Sequence, residues 1–429
     1  MAACVDIRDF GAIGDGIVLN THAIQSAFDE ASLRHAEVLV TDGVYRSGAL
    51  FMRPDMTLRI DSGGCLRGSR DPADYPVAET RFEGRSCLWP LALLNAQGLD
   101  GVAIHGKGIL DGDGLSFWKR FWDGRRAAIE KNEPFSNRDV MRPRLIFIDS
   151  CTNVCIREIA LTNSAFWHLH LYNSQQIRVE GISVEAPHQG TRAASSDAID
   201  IDACSNVVVT DCRFETDDDC VCIKGGKGPQ AHLTNSPTEN IVIKDCFFGF
   251  GHGVVTFGSE ATLVRNVHVH DCHVKGENSL IRMKFREDTC QSFENIVFER
   301  IWIDHGGWLF DVQSWVSRQD EILGTGNPSQ VANLIVRDIQ AYGMKSPGIL
   351  GYSTDGSLRM ENVSLQHIHI TGVQEDNPIL IRADAVEKQI GAKPEALVTG
   401  HGMGFSMEDV TFDGQPLTVI PLDTLDGPV

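Results

Sequence analysis

The chain has 429 residues, 42% of them hydrophobic, with 58 acidic side chains against 38 basic ones and a formal charge of −20. That balance argues against nucleic acid as a partner, because phosphate binding draws on an overall surplus of Lys and Arg. No apolar stretch approaches bilayer-spanning length, so no membrane insertion is expected, and twelve cysteines in so long a chain are too sparse for a disulfide scaffold.

The opening Met1-Ala-Ala-Cys-Val-Asp6 lacks a charged segment followed by an apolar one. The expectation for the sequence as written is cytoplasmic residence, and secretion or periplasmic export if a signal has been removed. Next, Asn20 or Thr21 can cap a helix in which Ile24, Ala27, Phe28 and Ala31 form one apolar stripe. Such a helix would cover the first coil of a repeat protein, whose ends otherwise expose apolar side chains and strand edges.

The repeats follow. Asp100-Gly-Val-Ala-Ile, Asn153-Val-Cys-Ile, Gln176-Ile-Arg-Val, Asn206-Val-Val-Val, Asn240-Ile-Val-Ile, Asn266-Val-His-Val, Asn295-Ile-Val-Phe and Asn333-Leu-Ile-Val share one grammar, echoed at Asn362-Val-Ser-Leu. Each places apolar residues at alternate positions, the period of a strand, and each is too short to bury its apolar face alone. A sandwich or propeller would also alternate, but hairpin turns such as Asn-Gly do not recur between these units. The expected fold is all-β, a right-handed parallel β-helix (solenoid) with an N-terminal capping helix, as one domain over 1–429. Its parts are a cap region to about residue 50, coils to about 374, and a last coil with a C-terminal cap over 375–429, where Glu408-Asp-Val-Thr-Phe resembles one more coil. Residues 111–144 interrupt the repeat with Trp118, Trp122 and several Arg, and read either as a wall at one end of a groove or as a solvated loop. Cys204, Cys212, Cys220, Cys246 and Cys272 recur in strands or at their ends and read as stacked core thiols. The spacing is not that of a zinc site, so no metal and no other cofactor is expected.

Four consecutive coils carry chemistry. Ser195-Ser-Asp197 and Thr216-Asp-Asp-Asp219 bring carboxylates onto neighbouring coils, and strands about 4.8 Å apart would set Asp197 near Asp218 and Asp219 if the coils are in register. Repulsion at that range can hold one carboxyl protonated while another stays ionised, as acid/base hydrolysis requires. Gly251-His252-Gly253 leaves room around an imidazole. In Leu280-Ile-Arg-Met-Lys-Phe-Arg286, parity sets Arg282, Lys284 and Arg286 on one side, which predicts a basic comb on the surface. Lys224, closing the second motif, is a further candidate site cation beside Arg282 and Lys284. Taken singly, each piece has a structural reading: Asp clusters cap turns, histidines pack, and alternating cations form solvated faces. Trp167, His168 and His170, or Trp308 and Trp315, could stack on sugars or simply pack.

In this order the four motifs resemble glycoside hydrolase family 28, the polygalacturonase-like pectin hydrolases, whose landmarks are Asn-Thr-Asp, Gly/Gln-Asp-Asp, Gly-His-Gly and Arg-Ile-Lys. Asp9-Phe-Gly-Ala-Ile-Gly-Asp-Gly16 is similar to the start of many pectin-degrading β-helix proteins. The resemblance implies Asp218 as general acid, Asp197 and Asp219 as activators of water, His252 as their support, and Arg282 and Lys284 as ligands of a galacturonate carboxylate. It implies inversion, although simple stacking of two carboxyls would give about the 5 Å of a retaining pair rather than 6.5 to 9.5 Å. Ser195-Ser196 in place of Asn-Thr, Ala198 in place of Gly and Met283 in place of Ile depart from the pattern without removing a reacting group. The family's Tyr has only Tyr342 and Tyr352 as doubtful equivalents, and the stretch Ser259–Asn266 is more similar to exo-acting members. The implied partner is a pectic oligo- or polysaccharide, with rhamnogalacturonan or another modified glycan as an alternative. Two other classes share the architecture: a calcium-dependent pectate lyase, with the Asp217–Asp219 run as ligands, and a non-catalytic carbohydrate-binding β-helix.

Overall fold

The computed structural model describes residues 4–315, 323–324, 326, 328–353, 357–372, 379–383, 386–390, 395–400 and 404–421. Two compact units divide the chain, Met1–Asp218 and Asp219–Val429. Among the described residues, no helix is long and apolar enough to cross a membrane.

In the first unit, Leu50–Phe51, Leu94–Gln97, Ile146–Asp149, Leu169–Tyr172 and Ile199–Asp202 pair in parallel, one coil to the next. A second ladder runs through Thr57–Ile60, Ala103–His105, Thr152–Arg157, Gln175–Glu180 and Ser205–Thr210, so that Leu58, Ile104, Ile156, Val179 and Val209 stack as one buried column. The helix Thr21–Arg34 buries Ile24, Ala27, Phe28 and Ala31, the four residues of the predicted stripe. Asn20 stands at its N-cap position without capping it. Its amide instead accepts from Ile13 N at 2.7 Å and donates to Val18 O at 2.8 Å, tying down the preceding loop.

The second unit repeats the plan. Val221–Lys224, Gly253–Phe257, Ser279–Phe285, Trp308–Ser314, Ser346–Tyr352, Ala396–Thr399 and Thr418–Pro421 pair in parallel. Opposite them run Thr238–Lys244, Leu263–Lys275, Ser292–Asp304, Gln330–Tyr342, Arg359–Thr371 and Phe405–Phe412. Glu408–Phe412 is therefore the further coil that its pattern predicted, whereas much of the proposed C-terminal cap over 375–429 lies outside the described residues.

The recurrent Asn has a backbone reason. Asn153, Asn206, Asn240, Asn266, Asn295, Asn333 and Asn362 all have φ between 53° and 58°, as does Gln176. This left-handed region crowds Cβ in most residues and suits Asn, whose short amide bonds locally. Within the second unit the amides also bond coil to coil: Asn266 donates to Asn240 at 3.0 Å, Asn295 to Asn266 at 3.1 Å, Asn333 to Asn295 at 2.9 Å and Asn362 to Asn333 at 3.0 Å. A second left-handed corner follows at Asp211, Asp245, Asp271, Arg300, Asp338 and His367. The next residue turns inward, and Cys272 shares its column with Ile301, Ile339 and Ile368. Cys212, Cys246 and Cys272 each give their thiol hydrogen to the carbonyl two residues back, at 3.1 to 3.2 Å. They act as small, largely apolar side chains whose weak S–H donor meets a carbonyl at the corner.

Two features of the first unit depart from the repeat pattern. Residues 111–144 contain not a loop but the helix Leu115–Lys131, which buries Phe117, Trp118, Phe121 and Ala128. Val77–Phe82 and Arg85–Pro90 form an antiparallel hairpin turned by Glu83 and Gly84, both at positive φ.

If the left-handed backbone is what the Asn repeat serves, Asn295→Ala should lose about 1–2 kcal/mol through strain and two lost amide bonds. Asn295→Gly should lose less, since Gly adopts this φ freely. Urea melts compare them, and equal losses would assign the effect to the amide ladder alone.

Candidate active site

The second unit buries a carboxylate. Asp219 is 1% exposed and lies two residues before the strand Val221–Lys224. Arg282 Nη1 donates to its Oδ1 at 2.9 Å and Lys284 Nζ to its Oδ2 at 2.7 Å. Arg282 also donates through Nε to Asp311 Oδ2 at 3.1 Å, and Gln313 donates to Asp311 Oδ1 at 2.6 Å. Burial alone would raise the Asp219 pKa, but Lys284, Arg282 and His252 outweigh it and hold the carboxyl well below its ordinary 3.8. Asp219 is therefore ionised at any pH near neutral. His252 is half-buried and within electrostatic reach of it. Gly253 clears the space between: a Cβ there would collide with Thr256 Oγ1 and come within 3.0 Å of Asp219 Oδ1 and 3.2 Å of Arg282 Cδ.

The basic comb is not a solvated surface, contrary to its sequence pattern. Arg282, Lys284 and Arg286 side chains are only 9%, 12% and 4% exposed, because buried carboxylates claim them. Arg286 grips Asp288 with bonds of 2.8 and 2.9 Å. Lys224 is buried and faces Glu260 at 3.4 Å. Burial would raise the Glu260 pKa, yet Lys224, Lys227 and Arg286 pull it down to about 2. The structure thus groups Arg282 and Lys284 around Asp219, and Lys224 around Glu260. Trp315, half-buried, lies 5.3 Å from Arg282 Cζ and 5.0 Å from Lys284 Nζ, measured to its ring centre, so both cations stand over its face. Of the two tyrosines considered, Tyr352 continues the ladder from Lys284 through Gln313, whereas Tyr342 is exposed on another strand.

The first unit holds Asp197 and Asp218. Asp197 is buried, and its carbonyl accepts from His168 N at 2.9 Å. Ser196 Oγ accepts from Asp217 N at 3.0 Å, which ties the first motif to the start of the acidic run. Asp217 is buried and bound by Arg192 at 2.8 and 2.9 Å, while Asp218 is half-buried. Sequence reasoning missed Arg142. Fully buried, it donates to Ala194 O at 2.6 Å and Asn137 Oδ1 at 2.9 Å, and its guanidinium lies over Phe121 and Phe166. Burial pulls its pKa down to about 9, while Glu83, Asp218 and Asp197 raise it, so it stays a cation at neutral pH beside both candidate carboxylates. A usable signal was present: Arg142 and Arg144 alternate immediately before the strand Ile146–Asp149.

Trp167, His168 and His170 pack rather than offering a sugar-stacking surface. Trp167 stacks with Phe82 and Phe166 in the hairpin's aromatic cluster, and both histidines are fully buried, which lowers their pKa values to about 4 and about 3. Within the Asp217–Asp219 run, Asp217 and Asp219 each answer protein cations. That is not the donor set of a calcium site, whose carboxylates must face the ion.

Residues 77–306 match the model of the glycosyl hydrolases family 28. The chain belongs to this family. It is 29% identical over 296 residues to a probable polygalacturonase of Vitis vinifera, an alignment covering 66% of this chain and 57% of the relative. It is 29% identical over 293 residues to an exo-poly-alpha-D-galacturonosidase of Dickeya chrysanthemi, covering 59% and 47%. The chain thus spans about half the length of these curated relatives. An exopolygalacturonase structure from Thermotoga maritima superposes with a TM-score of 0.74 at 22% identity, over 96% of this chain and 92% of that one. The fold of this family 28 chain is the right-handed parallel β-helix.

Removing a cation from Asp219 gives a test with a definite sign. A depressed folded-state pKa contributes stability that is present above the unfolded value and lost as pH falls through the folded one. Lys284→Met should cost about 3–5 kcal/mol at neutral pH, since it leaves a buried charge short of a partner. The gap between variant and wild type should shrink as pH falls through the variant's less depressed folded-state pKa, where the variant relieves its buried charge by protonating Asp219 while wild type stays ionised. Urea melts from neutral pH to pH 3 measure it, and a gap independent of pH would mean that Lys284 does not hold Asp219 ionised.

Proposed function

We infer that this family 28 chain hydrolyses α-linked, galacturonate-containing oligo- or polysaccharides by acid/base catalysis. The observation that carries the reading is the contrast between two consecutive carboxyls. Asp219 is buried and held ionised by Arg282 and Lys284, whereas Asp218 is half-buried. Glycoside cleavage requires that contrast, one group donating a proton to the leaving oxygen and another remaining a base. Asp218 is the proton donor in this reading, because Asp219 has no proton to give near neutral pH. The family resemblance implies Asp219 and Asp197 as the activators of water, and His252 supports the charge of Asp219. Arg282 and Lys284 act first on Asp219, and a sugar carboxylate meets them as part of that ion cluster. Trp315 offers the ring against which such a sugar would lie.

Exo attack with inversion is the favoured mode. The exo-acting proteins among those compared above support the first part, and the family resemblance supports the second. Rhamnogalacturonan or another modified acidic glycan is the second substrate class, since Ser195 and Ser196 alter the first motif.

Wild type incubated with oligogalacturonates should release monosaccharide from the chain end, seen by mass spectrometry, and a ladder of intermediate sizes would sink the exo mode. Asp218→Asn should lower kcat by about 10²–10⁴-fold while binding persists. Proton NMR of the first minutes should show the β-anomer before mutarotation. An α-anomer appearing first would replace single displacement with a covalent intermediate on one of the Asp residues.

A further inference from the structure

The helix Leu115–Lys131 does more than cover the coils. Its outer face and the segment 190–192 enclose an open cleft of about 600 Å³, within the range of small-molecule sites. Trp122 lies in its wall, fixed by a 2.8 Å bond from Nε1 to the Arg192 carbonyl. The lining is cationic in a chain of net charge −20: Lys119, Arg125, Arg126 and Arg192 against Asp123. Arg126 is paired with Asp123, and Arg192 with Asp217. Lys119 and Arg125 have no carboxylate partner among the described residues, and Arg125 Nε is shielded from solvent with no hydrogen-bond acceptor. Its guanidinium stands 5.5 Å from the Trp122 ring centre.

A partly exposed indole flanked by two uncommitted cations has the chemistry of a site for an acidic sugar: the ring takes the apolar face of a pyranose, and the cations take a carboxylate. Arg192 links this cleft to the reacting region, since it lines the cleft and grips Asp217, the residue before Asp218. We propose that the cleft formed by Lys119, Trp122 and Arg125 is an accessory subsite for a uronate-bearing saccharide, engaging a sugar beyond those at the scissile bond. The proposal rests on the reading of Asp218 as the proton donor for its place in the reaction, but not for its ligand chemistry.

The test compares wild type, the double variant Lys119→Met/Arg125→Met and the control Lys107→Met, an exposed cation outside the cleft. Binding of oligogalacturonates, glucuronate oligomers and their neutral methyl esters is measured by titration calorimetry, and turnover on oligogalacturonates of increasing length by reducing-sugar release. The double variant should bind the acidic oligomers about tenfold or more weakly, with the methyl esters unaffected. KM should rise for the longer substrates at constant kcat, and Lys107→Met should match wild type. Equal binding by wild type and double variant overturns the subsite while leaving hydrolysis standing. Uronate binding that depends on the two cations, in a protein that hydrolyses no galacturonide, retains the subsite and removes the proposed function. Trp122→Phe, which keeps the fold-supporting ring, should weaken acidic and esterified ligands alike, and an unchanged affinity in it would remove the stacking role.

Discussion

The buried carboxylate of Asp219 dictates the composition of the strands around it. An ion taken that far out of water costs several kcal/mol unless cations and hydrogen bonds replace its hydration. The strand that follows it, Val221–Lys224, is two ladder steps from Ser279–Phe285, with Gly253–Phe257 between them. Two spacings are about 9.6 Å, too far for a short side chain to cross. Arg282 and Lys284 are long enough, and the missing Cβ of Gly253 leaves them a path. The acid, the glycine and the two cations form one electrostatic unit, and their separation in sequence is the coil length. Asp311 and Gln313, on the next strand, extend it by holding the guanidinium plane.

What the sequence made legible was whatever repeats or alternates. The coils showed through because each must bury an apolar column and turn through a left-handed corner, and Asn fits that corner while leaving its amide for the next coil. The capping stripe was equally local, a helix period in fourteen residues. Arg282, Lys284 and Asp219 were visible as charges, but parity alone set the cations in solvent. It could not see that the acid two coils away draws them inward. Lys224 illustrates the same limit, since its partner Glu260 is separated from it by a whole coil and nothing in the sequence pattern pairs the two.

The helix Leu115–Lys131 and the hairpin Val77–Pro90 were illegible for a different reason. Neither repeats, and each is stabilised by partners remote in sequence: Trp118 bonds to Ser164 O, and Trp89 to Arg142 O. Together they shelter buried cations. Arg142 lies over Phe121 from the helix, Arg144 donates to Arg81 O and to Thr80 Oγ1 of the hairpin, and Arg81 grips Asp202 at 2.8 and 2.9 Å. Guanidinium is the cation suited to such places, because it is weakly hydrated, planar and stacks on aromatic faces. A lysine at 142 could not make the same fork to Ala194 O and Asn137 while lying flat on two rings.

For the acidic substrate proposed above, charge restricts the ways in which recognition can work. With 58 acids against 38 bases, the long-range field repels a polyanion, and most of the cations described here are already neutralised by a carboxylate of the same unit. Steering from a distance therefore contributes little, and repulsion grows with the number of charges on the approaching chain. Recognition must come from a few desolvated contacts that act only at short range, where field lines focus in a cleft and water is displaced. For the exo mode proposed above, the same charge balance favours the end of a chain over its middle, since an end would bring fewer charges up to the acidic surface for each sugar it buries.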